Sequence, residues 1–556
     1  MDKPTTYFGI DLGTTFSVVS YVDESGRPVV IRNLITNSET MPSVVYFEGP
    51  GNVVVGDSAK NVSKLYPKKV VQRVKREMGK EAHWTFDGEE FTPEKISALI
   101  LKQLAQDAAA ETGQEVRQVV ITVPAYFGML EKDATRQAGR IAGLDVIGIV
   151  PEPVAAALQY EVKGGDSAPL VLVYDLGGGT FDTTVIRVAP DAIEVLCTDG
   201  DQELGGVDWD ERLLTYLLDE FRAAASPTDD PGEDEPFMQE LLLAAEETKR
   251  QLSQLQSRSV PLRFAGESAN VEVTRATFEQ ITQDLLDRTI EITDRTLEKL
   301  ATKLGVSDPA AQITEVLLVG GSTKMPAVKA RLADKYGWQP RLHDPDLAVA
   351  KGAARFALSR AVWKAEDGEA APTAKEQEKR IADLAMRTGV DEAALADVAK
   401  KRITNVLPKA FGVKLIDTSV SGWEDRDPPP FYIEHLVHAD DALPVTQALP
   451  ASTAFPNQTE VEIEVYEQAG ATESRELADN KAVDKADGKI TGLPPMPAHS
   501  PINITMTIDE EGKLKCHAIE PRTGRDLTIN VRVSVLSEEE VVRAQKAVSA
   551  ITVRAV

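Results

Sequence analysis

A chain of 556 residues exceeds what one hydrophobic core can organise, so its length predicts about three or four domains or subdomains. Its net charge of −27 excludes the basic footprint that broad binding to nucleic acid or to an anionic membrane needs. Only two cysteines, no leader-like N-terminus and no apolar run of about 18 residues predict a reducing, cytoplasmic setting.

From Pro4 to about Val362, apolar strand-like segments alternate with helix-like segments, which is typical of an α/β fold. One helix is predicted at Pro93–Thr112, since Thr92 and Pro93 suit an N-cap and a first helical position. The predicted strands are Tyr7–Ile10, Val116–Val123, Leu170–Tyr174 and Glu315–Val319, and the other predicted helices are Val154–Tyr160, Asp208–Arg222, Met238–Leu255 and Arg275–Leu304.

A glycine-rich turn of the same form follows the first and the third of these strands. Residues 9–17, GIDLGTTFS, return in similar form as residues 174–182, YDLGGGTFD, with Asp11 or Asp175 beside the turn. Glycine lets backbone N–H groups converge on a phosphate because it has no Cβ, and a carboxylate suits the water shell of Mg²⁺. Either turn alone is explained as an ordinary hairpin. The repeat predicts two related lobes that hold one nucleoside triphosphate between them.

Four further segments fit a nucleotide site, and each also has an ordinary structural explanation. Lys75 could reach a phosphate or the attacking water, or lie on the solvated surface. Glu152 is held rigidly between Pro151 and Pro153, or caps the helix that follows. The third segment is one helix face, which could bind the nucleotide or simply be solvated: Glu246, Lys249, Arg250 and Ser253. The fourth is a turn, which could approach the nucleotide or simply lead into a helix: Gly320, Gly321, Ser322 and Thr323.

Other common motifs for phosphate and metal binding do not occur in the sequence. Neither Gly-x-x-x-x-Gly-Lys-[Ser/Thr] nor Gly-x-Gly-x-x-Gly is present, so the sequence favours neither a P-loop fold nor a dinucleotide-binding fold. The six histidines are scattered and the two cysteines lack zinc spacing, so no zinc site is predicted.

The composition changes after the last of these helices. Residues 364–373 are rich in Ala, Glu, Gly and Pro, which predicts a linker. A charged, Ala-rich helical pattern follows at 374–401 and breaks at Gly389. This stretch is therefore interpreted as a linker that carries a helical insert.

From Ile403 onward the hydrophobic period is two, which predicts a compact antiparallel β-sandwich. Val461–Val465 and Ile502–Ile508 are the clearest strands. Ser537–Glu540 has the form of a capping box, so we expect a last helix of at most about 15 residues.

Six motifs together resemble the signatures of the Hsp70 (DnaK-like) chaperone family: residues 10–15 (IDLGTT), 120–127 (VITVPAYF), 152–157 (EPVAAA), 175–182 (DLGGGTFD), 204–206 (LGG) and 318–323 (LVGGST). They occur in the family's order. The resemblance implies an α/β protein in which an actin-like, two-lobed ATPase domain at 4–362 precedes an antiparallel β-sandwich substrate-binding domain at 403–536. A linker with a charged helical insert at 363–402 would join them, and a short lid-remnant helix at 537–556 would follow.

The resemblance also implies a role for each matching residue. The implied catalytic residues are Lys75, which would position the attacking water, Glu152, Asp175, Thr180 near the γ-phosphate, and Asp182 as a proton acceptor. Mg²⁺ would be held mostly through water by Asp11, Glu152 and Asp175. The residues implied to bind ATP or ADP are Asp11, Gly13, Thr14, Thr15, Phe16, Gly177, Gly178, Gly179, Gly205, Gly206, Glu246, Lys249, Arg250, Ser253, Gly320, Gly321, Ser322 and Asp346.

Two stretches of the sandwich, 407–413 and 457–463, resemble strands that border the family's peptide groove. The residues implied to line this groove, or else to pack in the sandwich core, are Val413, Ile416, Ala454, Val461 and Ile463. The implied partners are unfolded or extended peptide segments, together with J-domain and nucleotide-exchange co-chaperones. A β-sandwich can bind such peptides through backbone hydrogen bonds and apolar pockets. No nucleic acid or membrane partner is expected.

The chain departs from the family pattern at four places. The family's short apolar linker ending in Asp is replaced by residues 363–402, with 403–407 as its candidate remnant. Pro151 stands where the family usually has Asn, and Gly148 stands where it has an Arg that meets J-domain partners. The lid is reduced to one short helix. These departures concern the coupling between the domains and the dependence on J-proteins.

Three functions stay open at this point. The first is an ATP-dependent chaperone that binds exposed apolar peptides and hydrolyses ATP slowly. The second is a regulatory or co-chaperone relative whose nucleotide domain is mainly structural, which the changed linker and Gly148 favour and the complete set of site residues opposes. The third is a small-molecule kinase of the same superfamily, which would gain nothing from a C-terminal β-sandwich.

Overall fold

The computed structural model describes residues 6–33, 35–160, 168–363, 373–470, 472–510, 512–530 and 536–554, apart from the side chains at 374, 484–487 and 530. The predicted linker at 364–373 lies outside the described residues except for Thr373. The described elements form two α/β lobes and a β-sandwich.

Lobe I comes first in the chain and is built on a mixed sheet. Its elements are β1 (Phe8–Leu12), β2 (Phe16–Val22), β3 (Pro28–Val30), β4 (Met41–Pro42), β5 (Val44–Gly49), β6 (Asn52–Val55), α1 (Asp57–Val62), β7 (Val70–Gln72), β8 (Trp84–Phe86), β9 (Glu89–Phe91), α2 (Pro93–Thr112), β10 (Gln118–Val123), α3 (Met129–Ile141), β11 (Asp145–Pro151) and α4 (Glu152–Gln159). The sheet has the order β11-β10-β1-β2-β3, with β4 beside β2. β5 lies between β6 and β7 in a smaller sheet.

Lobe II repeats the sheet and adds a helical layer. Its elements are β12 (Leu170–Leu176), β13 (Phe181–Val188), β14 (Ala192–Asp201), α5 (Gly206–Ala225), α6 (Glu235–Leu252), β15 (Ser257–Phe264), β16 (Glu267–Thr274), α7 (Arg275–Ile281), α8 (Gln283–Leu304), β17 (Glu315–Val319), α9 (Pro326–Tyr336), β18 (Arg341–Leu342) and α10 (Ala348–Trp363). The sheet has the order β18-β17-β12-β13-β14.

The two sheets follow one plan, in which the first strand pairs antiparallel with its hairpin partner and parallel with a later strand. β1 pairs in this way with β2 and β10, and β12 pairs in this way with β13 and β17. Asp11 and Asp175 therefore occupy matching places near the ends of β1 and β12. This duplication confirms the predicted two-lobed α/β fold.

Helices α4 and α10 pack against each other between the two sheets. Their buried residues, such as Ala155 and Ala353, share one apolar cluster with Val120 of lobe I and Val173 of lobe II. Removing this apolar surface from water is the main force that holds the lobes together at their base. The shared cluster brings the turns after β1 and β12 to the same cleft.

The predicted insert is part of this base and not a free linker. Helices α11 (Ala374–Thr388) and α12 (Glu392–Lys400) pack against α10, because their buried residues Leu384 and Leu395 belong to the same apolar cluster. The indole N–H of Trp363 donates to the Ala399 carbonyl at 2.8 Å, and the Asp391 N–H donates to the Glu24 carbonyl at 2.9 Å. Strand β19 (Arg402–Thr404) then pairs parallel with β14 at the edge of the lobe II sheet.

The sandwich follows as two four-stranded antiparallel sheets. Its strands are β20 (Phe411–Ile416), β21 (Phe431–Val437), β22 (Val445–Ser452), β23 (Val461–Gln468), β24 (Asn480–Ile490), β25 (Pro501–Ile508), β26 (Leu514–Glu520) and β27 (Arg525–Asn530). The sheet orders are β21-β20-β23-β24 and β22-β25-β26-β27. Alternate residues of the strands, among them Phe411, Ile504 and Met506, fill the core between the sheets.

The last helix, α13 (Glu538–Ala550), packs on lobe I and not on the sandwich. Its buried residue Val548 joins the apolar cluster of lobe I, and strand β28 (Thr552–Arg554) pairs parallel with β6. The Lys102 ammonium of α2 donates to the carbonyls of Val548 at 2.9 Å and Ile551 at 2.8 Å. The segment interpreted from the resemblance as a lid remnant is therefore placed by its own apolar face on lobe I.

Most predicted elements are confirmed, including α2 with Thr92 as its cap and the capping box of Ser537 and Glu540 before α13. The single helix predicted at Arg275–Leu304 is wrong, because the chain breaks it into α7 and α8 at Thr282. Thr282 leaves helical geometry (φ −118°, ψ 10°), and its hydroxyl donates to the Phe278 carbonyl at 2.8 Å. Among the helices that the structure describes, none has the length and apolar character that crossing a bilayer requires.

Candidate active site

The turns after β1 and β12 meet across the cleft between the lobes. An ideal Cβ added to Gly178 would lie 2.3 Å from the Thr15 hydroxyl oxygen, and one added to Gly179 would lie 2.4 Å from the Thr14 hydroxyl oxygen. A side chain at either position would clash, so glycine is required for the two turns to come this close. The structure thus brings together the two repeats that the sequence singled out.

Two serines that the sequence did not single out fix the first turn. The Gly13 N–H donates to the Ser17 hydroxyl at 3.2 Å, and the Ser43 hydroxyl donates to the Gly13 carbonyl at 2.7 Å. The Ser43 N–H also donates to the Thr15 carbonyl at 2.9 Å. Ser43 lies between β4 and β5, far along the chain from the turn it holds, so no local motif marks it.

Four carboxylates and one lysine lie beside the two turns, and all are buried except Asp11, which is half-buried: Asp11, Glu152, Asp175, Asp182 and Lys75. The Lys75 ammonium donates to Glu152 at 2.6 Å, which joins the turn Val74–Glu77 to the first residue of α4. The Thr122 hydroxyl donates to Asp11 at 3.0 Å, and the Tyr126 N–H donates to Asp182 at 3.0 Å. The cluster is therefore assembled from both lobes.

Burial and mutual repulsion raise the pKa values of these carboxyl groups. Burial, together with the Glu152 carboxylate, raises the pKa of Asp11 to about 7 and the pKa of Asp182 to about 8. The same causes raise the pKa of Asp175 well above its usual range. Burial alone would lower the pKa of Lys75, but Glu152, Asp11 and Asp175 together raise it, so the ammonium stays charged.

One lysine does not balance four carboxylates, and the raised pKa values mean that part of this cluster is protonated at neutral pH when no cation is bound. A divalent cation surrounded by water would relieve the repulsion between the carboxylates, so the residues present fit Mg²⁺. Within the described ranges, no group of three or more His, Cys, Asp or Glu side chains is arranged to hold a metal ion by itself. The water-mediated shell of Asp11, Glu152 and Asp175 stays a prediction.

The glycine pair before α5 is bonded to the second turn. The Gly206 N–H donates to the Gly177 carbonyl at 3.0 Å, and the Val207 N–H donates to the Gly178 carbonyl at 2.8 Å. The Gly177 N–H in turn donates to the Thr180 carbonyl at 3.1 Å, which closes the hairpin. The predicted phosphate-binding glycines of lobe II therefore form one continuous backbone platform.

The face of α6 that is implied to bind ATP or ADP has partners in both lobes. The Lys249 ammonium donates to the Gly206 carbonyl at 2.7 Å and lies 2.8 Å from Asp210. Glu246 accepts from Lys60 of lobe I at 2.6 Å, and the Lys60 ammonium also lies 5.1 Å from the centre of the Phe16 ring. On the same face, Arg250 is exposed and Ser253 is half-buried.

The turn after β17 lies beside the same platform. The Ser322 hydroxyl donates to the Gly177 carbonyl at 2.9 Å, and the Gly320 N–H donates to the Pro345 carbonyl at 3.0 Å. Asp346 pairs with Lys324, and its carboxylate oxygen would lie 3.2 Å from a Cβ at Gly321. The structure thus gathers the remaining predicted nucleotide residues at one end of the cleft.

The five residues predicted for a peptide groove fall into two groups. Val413 and Ile463 are buried in the core of the sandwich, as core packing predicts. Ile416, Ala454 and Val461 are half-buried. The groove therefore stays a prediction that rests on the second group.

Other residues of the cleft carry no local signal in the sequence. Thr122 and Tyr126 fall inside the motif at 120–127, yet nothing in that motif marks them as carboxylate donors. Arg76 follows Lys75 directly, and its role depends on a partner in lobe II that no spacing rule reveals. Long-range pairing of this kind is visible only once the two lobes are folded together.

Comparison with known proteins gives a family for most of the chain. The family model described as Hsp70 protein matches residues 7–366 and 432–553. The stretch between them, 367–431, contains α11, α12, β19 and β20, so the insert lies where this chain departs from the family pattern.

Similar curated proteins point the same way. "Chaperone protein DnaK" from each of two strains of Halobacterium salinarum is 36% identical to this chain over 551 residues. The alignment covers 97% of this chain and 77% of the relative. The similarity therefore includes the sandwich as well as the two lobes.

Proposed function

The chain belongs to the Hsp70 family, and on that premise we propose that it is an ATP-dependent molecular chaperone. It hydrolyses ATP slowly to ADP and phosphate in the cleft between the lobes and binds exposed apolar peptide segments through the sandwich. The observation that carries the ATPase assignment is the buried cluster around Lys75, beside two glycine turns. A domain that bound nucleotide for structural reasons alone would not need a buried lysine surrounded by carboxylates.

Each group of the cleft has a part in this reaction. Backbone N–H groups of the turns that contain Gly13 and Gly178 bind the phosphates, apart from the N–H groups of Gly13 and Gly177, which donate to Ser17 and Thr180. Lys75 positions the water that attacks the γ-phosphate, Thr180 lies beside that phosphate, and Asp182 accepts the proton of the water. Asp11, Glu152 and Asp175 would hold Mg²⁺, which would supply positive charge against the phosphates. Catalysis is thus mostly positioning and electrostatic stabilisation.

Replacing the buried lysine tests the ATPase assignment. Lys75→Met should reduce ATP hydrolysis by about a hundredfold or more while ATP still binds, because one preorganised charge of this kind contributes roughly 3 kcal/mol to the barrier. Lys68→Met is a matched control, since Lys68 is on the same stretch of lobe I but its side chain is 80% exposed. Hydrolysis unchanged by Lys75→Met would contradict the assignment. ATP binding without hydrolysis in the unsubstituted protein would support a regulatory or co-chaperone role.

We extend the proposal to peptide binding at Ile416, Ala454 and Val461, because these residues of the predicted groove are not sealed in the core. Val461→Phe should block binding of an unfolded apolar peptide and leave the melting temperature within a few degrees. Ile463→Phe is the matched control two residues along β23, where overpacking a buried site should instead cost about 1–3 kcal/mol of stability. A collapse of folding in both variants would favour core packing for the whole set.

Family membership argues against the small-molecule kinase and leaves the partners as proposals. J-domain and nucleotide-exchange co-chaperones are the expected protein partners, with Gly148 at the position of the family's J-domain arginine. The proposed nucleotide-binding part comprises 4–362 together with α11, α12, α13 and β28, which pack on it. The proposed peptide-binding part is the sandwich predicted at 403–536, without β19 at its start, which pairs in the lobe II sheet. The cytoplasmic location stays a prediction.

A further inference from the structure

Arg76 follows the predicted catalytic lysine and reaches across the cleft. Its Nε donates to the Gly179 carbonyl at 2.9 Å, and its two terminal nitrogens donate to the carboxylate of Asp208 at 3.3 and 2.5 Å. Both side chains are mostly buried. A single planar group on lobe I thus contacts lobe II at a backbone oxygen of the second glycine turn and at a carboxylate of α5.

Asp208 is itself part of the platform that holds the phosphate-binding glycines. Its Oδ2 accepts from the Gly205 N–H at 2.7 Å, which caps the start of α5. An ideal Cβ on Gly205 would lie 2.6 Å from the backbone of Gly179, so the two glycine segments touch. The guanidinium of Arg76 therefore binds both segments at once, one directly and one through Asp208.

We propose, resting on the ATPase function proposed above, that Arg76 is a positioning residue that sets Lys75 against the phosphate-binding glycines of lobe II. Arg76 and Lys75 share one short turn, so any shift of the guanidinium relative to Gly179 moves the Lys75 ammonium relative to the γ-phosphate. A guanidinium suits this task because its fork is planar, fixed in geometry and always charged. A displacement of about 1 Å can cost a hundredfold in rate when catalysis depends on positioning.

A lysine at this position keeps the charge but not the fork. Its ammonium cannot bind the Gly179 carbonyl and both oxygens of Asp208 in the same plane. Arg76→Lys therefore separates geometry from charge, while Arg76→Met removes both. If Arg76 serves hydrolysis by positioning, both variants slow the chemical step and leave ATP affinity nearly unchanged.

Arg73 offers a matched control three residues earlier. It also bridges the lobes, but its guanidinium donates to Glu211 of α5, which is more than half exposed, and not to Asp208 or Gly179. Arg73→Met therefore removes a cross-cleft ion pair of the same type and leaves the contacts of Arg76 with Asp208 and Gly179 in place. The comparison distinguishes a contact that merely joins the lobes from one that orients the site.

The experiment measures single-turnover hydrolysis of bound ATP and the ATP dissociation constant in the full chain, with melting temperatures as a check of folding. Arg76→Lys and Arg76→Met should lower the hydrolysis rate at least tenfold and change the dissociation constant by less than about threefold, while Arg73→Met stays within about twofold in both. Equal effects of Arg76→Met and Arg73→Met, or a loss confined to affinity, would overturn the inference.

A double-variant cycle with Asp208→Asn gives a second test, whose expected result would not arise from loss of folding. The effects of Arg76→Met and Asp208→Asn on the hydrolysis rate should be strongly non-additive, because both act through one network. Additive effects would overturn the inference. If the unsubstituted protein hydrolyses ATP and Lys75→Met abolishes this while the Arg76 variants are normal, only the role of Arg76 is wrong. If the unsubstituted protein does not hydrolyse ATP, the proposed function fails and this inference fails with it.

Discussion

Two clusters of charged side chains in this molecule differ in how their charges are balanced. In the cleft, four carboxylates surround Lys75. At the contact between lobe II and the sandwich, the carboxylates of Asp199 and Asp440 meet the cations Arg295 and Lys299 of α8 in equal number. The Asp440 side chain also accepts from the Thr198 N–H at 3.0 Å. We call the second group the joint cluster.

The difference between the clusters separates a ligand site from a structural contact. In the joint cluster every charge has a partner within the protein, with the Arg295 guanidinium 2.9 Å from Asp199, and although burial raises the pKa of Asp440, the Lys299 ammonium opposes that rise. In the cleft the pKa values of Asp11 and Asp182 are raised to about 7 and about 8, because burial and neighbouring carboxylates disfavour their charged forms. Carboxyl groups that are buried together and whose charged forms are disfavoured until a cation joins them indicate a cation site.

The largest expected effect comes from removing a charge from the unbalanced cluster. Asp11→Asn or Asp175→Asn should lower Mg²⁺-dependent ATP turnover by about a thousandfold, equivalent to roughly 4 kcal/mol, because each removes a charge from the metal's surroundings. Steady-state turnover over a Mg²⁺ titration measures this.

Asp440→Asn in the joint cluster is the control for that loss, because Asp199 is close enough to the cleft to raise the pKa of Asp182. Asp440→Asn should lower the free energy of unfolding by about 1 kcal/mol, since it weakens the pairing of the partly exposed Lys299, and should leave the Mg²⁺ dependence of turnover unchanged. Full turnover in both Asp11→Asn and Asp175→Asn would remove the distinction between the clusters.

The raised pKa values predict how stability depends on pH. A carboxyl whose folded pKa is about 8 and whose unfolded pKa is about 3.9 binds more protons in the folded state between these values, so the folded state loses stability as pH rises. From pH 6 to pH 8, Asp182 alone would contribute a loss of about 2 kcal/mol in the metal-free protein. Thermal unfolding at both pH values, with EDTA and with Mg²⁺ and ADP, measures this. Equal melting temperatures with EDTA at the two pH values would contradict it.

A smaller effect on stability is expected at α13, and it tests whether this helix belongs to lobe I. Val548→Ala should cost about 1.5 kcal/mol, because Val548 is 1% exposed in the core of lobe I. Val542→Ala on the same helix should cost almost nothing, because Val542 is 45% exposed. Chemical denaturation of both variants measures the difference. Faster peptide release without lost stability in Val548→Ala would instead make α13 a lid.

The sequence could predict what local motifs encode. The glycine turns, Lys75 and Glu152 were all identified, because each sits in a short segment whose residue types limit its geometry. The capping box of Ser537 likewise predicts where α13 begins.

Where each segment packs was not predictable in the same way. Nothing in Thr552–Arg554 specifies pairing with β6, five hundred residues away along the chain. The insert at 374–400 has helical periodicity, but that pattern does not say that Leu384 and Leu395 bury themselves in the base of the lobes. Arg76 was missed for the same reason, since Gly179 and Asp208 reach it only through the tertiary fold.

The smallest expected effect concerns communication between the cleft and the sandwich. Communication of this kind needs an element with two states that ATP and peptide both bias. Here the segment after the insert carries Thr404 and Asn405, and β19 is anchored in the lobe II sheet while α13 is packed on lobe I. Peptide should therefore dissociate fast with ADP bound, and ATP should change the rate less than about tenfold, a coupling below about 1.4 kcal/mol. Release of a fluorescent peptide with each nucleotide measures both rates. Slow release with ADP and about a hundredfold acceleration by ATP would show that charge balance at the joint cluster does not prevent the sandwich from responding to the cleft.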